Sequence, residues 1–210
     1  MNASILLYRS AALIDQGEWA SAIIAAEAVL AVSHRSRARM QSRTGRAQEA
    51  YARWHLTRER AHVDELEQVA RQFRTGNNSR QHVSMVFGWV VEVMTEHDEA
   101  ETARIYMGEV IRRVREAGDR LGEAMGWRAM ARSAQASGSS ARADRYLRFA
   151  KCSADLRLSQ GEAAHNLLCE ADLLSARGHN RQAQARRVIA GSVFERLDMP
   201  YYRNRALTNR

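Results

Sequence analysis

Apolar residues along this chain recur at spacings of three and four rather than in strict alternation, which marks amphipathic helices and not strands. The stripes predict helices near residues 3–15, 19–31, 46–60, 63–74, 79–96, 99–117, 120–136, 140–157, 160–177 and 180–196. Residues 32–45 offer a helical face of only Val32, Ala38 and Met40 among arginines, so a short or irregular helix is expected there. Polar residues mark the ends of the stripes. Asp98 with Glu101, and Ser159 with Glu162, have the capping-box spacing, in which the first side chain accepts a backbone N–H and the acid reaches back. Gly118, Gly138 and Gly178 stand where a left-handed helix exit favours glycine.

This punctuation is periodic. Asp98/Ala103, Gly138/Ala143 and Gly178/Ala183 follow one another at 40-residue intervals, and the linkers REAGDRLGEA and LRLSQGEAA align. Each period reads as helix, tight turn, helix and linker. Units of this kind cannot bury their apolar faces alone and stack into a solenoid, so the expected fold is all-α, an α-solenoid of antiparallel helix pairs forming one domain over residues 1–210. The best repeats are 84–117, 124–157 and 164–197, with an irregular stretch over 32–78 and a partial capping helix over 200–210.

The unit 124–157 resembles a tetratricopeptide repeat. Trp127, Met130, Ala131 and Ala134 occupy the large, large, small, medium pattern of its first helix, and Ala143, Leu147 and Ala150 the pattern of its second. Unit 84–117 matches through Phe87, Val90, Val91, Met94, Ala103, Met107 and Val110. Unit 164–197 keeps Leu167, Ala171, Leu174, Ala183 and Ala190 but has Glu170 and Arg187 where large apolar residues belong, so it is expected to be looser. The N-terminal unit retains Gly17, Trp19, Ala22 and Val29, whereas the one around Gly45 to Trp54 matches poorly. The long linkers and the RLDMPYY ending are similar to the variant found in the C-terminal sensor regions of bacterial LuxR-type and maltose-activator-type regulators. That family joins the repeats to a nucleotide-binding module and a helix-turn-helix. Here no GxxxxGK[ST] cradle exists, and residues 31–60 do not place turn residues between two convincingly apolar helices.

The resemblance implies a concave groove lined by the second, fifth, ninth and twelfth positions of each first helix. The rows read Met85, Met125, His165; Gly88, Arg128, Leu168; Glu92, Arg132, Asp172; and Thr95, Gln135, Ser175. Arg132 is expected to be held between Glu92 and Asp172 as a structural ladder. Arg128 has no such partners in its row and is the candidate to meet a ligand carboxylate or phosphate. Met85 and Met125 would form an adaptable apolar floor, with core packing as the alternative. Trp89 falls beside the packing stripe, toward the edge of the groove, while Trp19, Trp54 and Trp127 read as core.

Charge adds a second candidate. The net charge is +8, yet Lys151 is the only lysine, and residues 34–60 carry eight arginines against Glu49 and Glu59. Arg35, Arg37, Arg39, Arg43 and Arg46 form a possible basic patch for nucleic acid, against a solvated face or protein contact. Residues 92–101 carry five acids and no base. Glu59-x-x-His62 and Glu162-x-x-His165 have the spacing that di-iron helical proteins use, but such a site needs two further facing glutamates. No HExxH, GxSxG or cysteine-rich spacing supports an enzyme, and no cofactor or metal is called for. Cys152 and Cys169 read as buried thiols. With no apolar run near 18 residues and no basic-then-apolar leader, a cytoplasmic protein is expected.

The expected function is a non-catalytic regulatory or scaffolding module that binds a protein segment, or a small anionic effector, in its groove. Residues 200–209 should form a short helix packed on 180–196, with Pro200 in its first turn and Tyr201 and Tyr202 resting on the preceding pair. Its exposed apolar edge, including Leu207, would invite homo-oligomerisation or continuation in a longer parent protein.

Overall fold

The computed structural model describes residues 2–75 and 83–208, and among these the only regular structure is helical. The helices are α1 (Ala3–Gln16), α2 (Trp19–Ser36), α3 (Arg39–Thr57), α4 (Arg60–Thr75), α5 (Val83–Glu96), α6 (Ala100–Ala117), α7 (Glu123–Ala136), α8 (Ser140–Leu156), α9 (Gln160–Ala176), α10 (Asn180–Arg196) and α11 (Pro200–Thr208). Each packs on its successor in the chain, and α1, α3, α5, α7 and α9 also pack on one another in series. The odd-numbered helices are therefore the inner layer of an α-solenoid and the even-numbered ones the outer layer. None of the described helices is long and apolar enough to cross a membrane.

The turns explain why the helices stop where they do. Gly118, Gly138 and Gly178 have φ between 67° and 80°, as their spacing predicts, and Gly17 shares this range. The other turns place Arg37, Arg58, Asp98, Leu158 and Asp198 in the same left-handed region, where a side chain costs energy that glycine avoids. This overturns the capping box at Asp98. Asp98 is the left-handed residue that ends α5, Glu99 precedes α6 without a capping hydrogen bond, and Glu101 pairs with Arg104. At the other box Ser159 does accept from the Glu162 N–H, at 3.3 Å.

Residues 32–45 are also more regular than their apolar pattern suggests. α2 runs on to Ser36, and α3 begins at Arg39 after a two-residue break. The stripe is invisible there because the first buried positions of α3 are small or polar: Thr44, Gly45, Ala47 and Gln48. A Cβ on Gly45 would lie 2.9 Å from Val29 Cγ1, so α2 and α3 touch through the missing side chain. Gln48 lies fully buried and donates to the Leu7 carbonyl at 3.1 Å. Residues 76–78 of the expected irregular stretch and 79–82 of the expected helix lie outside the described residues.

A close backbone approach lies between α5 and the turn before α7. Asp119 accepts from the Ser84 N–H at 2.9 Å and the Ser84 hydroxyl at 2.6 Å, and Ser84 Oγ accepts in turn from the Gly122 N–H at 3.1 Å. Gly122 sits so tightly on this turn of α5 that an added Cβ would fall 1.9 Å from the Ser84 carbonyl oxygen. Elsewhere alanine does the same work more gently. Ala131 and Ala143 are fully buried in the α7–α8 contact, where the repeat register places small residues.

Pro200 opens α11, which packs on α10 as its sequence suggests, with the Ala206 Cβ in contact range of Gly191. α11 also reaches back to the first unit. The Tyr201 ring lies edge-on to Trp19 at 5.4 Å and against Gly17, and Tyr202 touches Trp19, His165 and Phe194. The inner layer thus turns through one near-complete circuit, and its last described helix meets its first. Leu207 remains 58% exposed.

Candidate functional site

The circuit encloses a cavity of about 320 Å³. All six inner helices contribute to its wall: α1 through Ile14 and Asp15, α3 through Tyr51 and His55, α5 through Met85 and Glu92, α7 through Met125, Arg128 and Arg132. α9 adds Glu162, His165, Leu168 and Asp172, and α11 adds Tyr202 and Arg205. The second-position and ninth-position rows read from the sequence do converge here. Met85, Met125 and Leu168 form an apolar floor, with Ile14 and Met199 beside it.

The ladder through Arg132 is half of what the row predicts. Arg132 donates to Glu92 at 2.9 Å, and the other Glu92 oxygen accepts from the Tyr51 hydroxyl at 2.5 Å. Asp172 turns instead to Arg187 at 3.4 Å, so a residue that looked out of place in its repeat has an ionic partner. Glu170, the other departure, is held by Lys151 and Arg186. Burial alone would raise the Glu92 carboxyl, but Arg132, His55 and the Tyr51 hydroxyl overcome it and hold the group down to about 2. Desolvation works against the charge on the Arg132 guanidinium, but Cys169 first, then Glu92, Glu96 and Asp172, more than offset it and push the group up.

Arg128 is not the free cation of the sequence reading. Its guanidinium donates to Glu162 and, at 3.1 Å, to Asn166, and its side chain is only 7% exposed. The partner comes from the start of the neighbouring inner helix rather than from its own row, which row-wise reading cannot see. Arg157 stands 3.7 Å from the second Glu162 oxygen. Trp89 likewise departs from expectation: it is 1% exposed, stacked on Tyr51 with centroids 4.9 Å apart, and so belongs to the core. Trp19 and Trp54 are buried as expected, Trp54 on an inner helix, while Trp127 is half-buried against Tyr146 and Phe149.

Several cavity residues lie outside the rows, and four of them bear on its chemistry. His55 lies flat on Trp19, with ring centroids 3.7 Å apart, and both its ring nitrogens are buried without a hydrogen-bond partner. Tyr202 and Arg205 come from α11, and Asp15 from the tip of α1. One signal was available: Arg205 stands 40 residues after His165 and so continues the row Met85, Met125, His165. Asp15 meets water on its outer side, but the surrounding protein and the nearby Glu162 push its carboxyl up to about 6, against Arg157 and Arg128.

Burial pushes His55 down to about 3, with Arg58 and Arg205 adding to the effect and Glu92 opposing it. Burial and Arg128 move His165 the same way. A depressed imidazole is stable above its ordinary value of 6.5 and loses that stability as pH falls toward the folded value, because the unfolded chain takes up the proton first. For His55 the whole span amounts to on the order of 5 kcal/mol. Asp15 acts oppositely, adding stability at low pH that is lost as pH rises through about 6. Thermal denaturation followed from about pH 7.5 to about pH 4 should therefore show a steady fall in Tm, shallower in His55→Phe. Parallel curves for the two proteins would remove His55 as the cause.

The basic patch is only partly assembled. Arg37, Arg39 and Arg43 border one shallow depression with His34 at the α2–α3 turn, while Arg35 lines a neighbouring one between α1 and α2. Arg46 is paired with Glu65 at 3.1 Å. The two Glu-x-x-His spacings sit on separate elements, at the start of α4 and the start of α9. Among the described residues no three histidine, cysteine or acidic side chains gather as a metal ion would need. Cys169 is buried, and Cys152, expected to be so, is exposed.

No protein-family profile matches this chain, and no curated protein matches it.

Proposed function

We propose that this chain is a non-catalytic binding module of tetratricopeptide type, a regulatory or scaffolding component whose effector sits inside the circuit of inner helices. The observation that carries this reading is the cavity itself, walled by all six inner helices and supplied with both an apolar floor and charged groups. Its size lies at the small end of the range for ligand sites, which favours a small molecule or the end of a peptide over a long segment laid across the repeats. Most of its charged side chains are locked in pairs with one another, an arrangement that orients a guest rather than transferring protons to it.

A panel of organic acids, amines, amino acids and short peptides, followed by thermal shift, tests the reading. At least one compound should raise the Tm of the parent chain and fail to do so in Met125→Trp, whose added ring fills the floor of the cavity. Equal shifts in the two proteins would place binding elsewhere. A second reading, nucleic-acid binding, is favoured only by the grouping of His34, Arg37, Arg39 and Arg43 around one depression. It calls for affinity to random duplex DNA that falls steeply with salt.

A further inference from the structure

The charges of the cavity wall come in equal numbers, four basic and four acidic, and most are spent on each other. Arg128 is held by Glu162 and Asn166, Arg157 also faces Glu162, Arg132 is held by Glu92, and Asp172 by Arg187. Two members of the wall are left over. Asp15 and Arg205 make no hydrogen bond or ion pair among the described residues, and they carry opposite signs. They stand on the first and last inner helices, and both line the cavity together with Tyr202.

Resting on the reading of the cavity as a ligand site, we infer that its occupant is a small zwitterion with an apolar body, a free amino acid or a dipeptide with both ends uncapped. The ligand carboxylate meets Arg205, the ammonium meets Asp15, and the side chain lies on Met85, Met125 and Leu168. Both side chains are exposed on their outer sides, so water screens each in part, but a guest with a single charge still engages only one of the two free groups. A dipolar guest satisfies both without disturbing the pairs already made. The volume is compatible with the same class: about 320 Å³ accommodates one or two residues. The unpartnered nitrogens of His55, which also lines the cavity, offer a further hydrogen-bonding group.

The test uses leucine, methionine, phenylalanine and the dipeptide of two leucines, each free, N-acetylated and C-amidated, in calorimetric titrations of the full chain. At least one free compound should bind, and either cap should weaken it ten- to a hundredfold, the loss expected for one charge-assisted contact. Asp15→Asn should erase the preference for the free amine over its acetylated form while keeping the preference over the amide. Arg205→Gln should do the reverse. Capped forms that bind the parent chain as tightly as free ones would overturn the zwitterion class on the parent protein alone, whatever the variants do. If compounds of another class bind and are blocked by Met125→Trp while no member of this set does, the zwitterion is wrong and the cavity reading stands. Binding of the free compounds that survives Met125→Trp undiminished would overturn both.

Discussion

Gly122→Ala should lower the stability of the chain by about 3 kcal/mol or more, the largest single loss expected from adding one methyl group. Overpacking a well-filled site usually costs about 1–3 kcal/mol because neighbouring side chains can shift. Here the obstruction is backbone: the new Cβ would fall 1.9 Å from the Ser84 carbonyl oxygen and 2.5 Å from its carbon. Relief requires α5 to move away, which pulls Ser84 from Asp119 and breaks three buried hydrogen bonds at once. Gly108→Ala is the natural control, since nothing lies within 4 Å of the site on α6 and the same change should there add up to about 1 kcal/mol through helix propensity. Urea denaturation of the three proteins decides the matter. A Gly122→Ala midpoint close to that of the parent would mean that α5 and α7 do not meet at this turn.

Arg128→Ala should cost about 3–5 kcal/mol, more than Arg132→Ala at about 2–4 kcal/mol, since removing one member of a buried pair strands the other. The order follows burial. Arg128 and Glu162 are 7% and 16% exposed, whereas Arg132 and Glu92 are 27% and 14% exposed. Arg132→Ala also leaves Glu92 a close hydroxyl partner in Tyr51, while Arg128→Ala leaves Asn166 Oδ1 without its donor and Glu162 only the more distant Arg157 at 3.7 Å. The double change Arg128→Met with Glu162→Leu should recover part of the loss, because the pair is replaced by apolar volume rather than broken. If Arg128→Ala melted with the parent chain and lost only ligand binding, the sequence-based assignment would be restored and the ion pair would carry no structural weight.

The architecture was legible because it is written in short-range periodicity. Glycine exits, small residues such as Ala131 and Ala143, and apolar stripes of one helix turn recur at one interval, and each reports on contacts with the adjacent helix alone. The same locality explains what was missed. In its own row Arg128 has no partner, yet Glu162 sits nearly two turns earlier on the next inner helix. Trp89 was placed at an edge because its neighbour Tyr51 belongs to a unit whose repeat pattern is poor. Asp119 looked like a linker residue because its role depends on a backbone approach that no side-chain pattern records. The cavity as a closed space was not legible at all, since closure depends on the curvature summed over every unit, and Asp15, His55, Tyr202 and Arg205 face one another only through that sum.

The meeting of Tyr201 with Trp19 also bears on the order in which the chain assembles. Almost every other helix contact joins neighbours in sequence or next neighbours, the kind of contact that forms fast because little loop entropy is spent on it. The Tyr201–Trp19 contact joins residues some 180 positions apart and cannot form until the intervening curvature exists. Closure is thus expected last on the way in and first to be undone on the way out. Undocking α11 alone would leave the cavity with five helical walls instead of six and open a route into it.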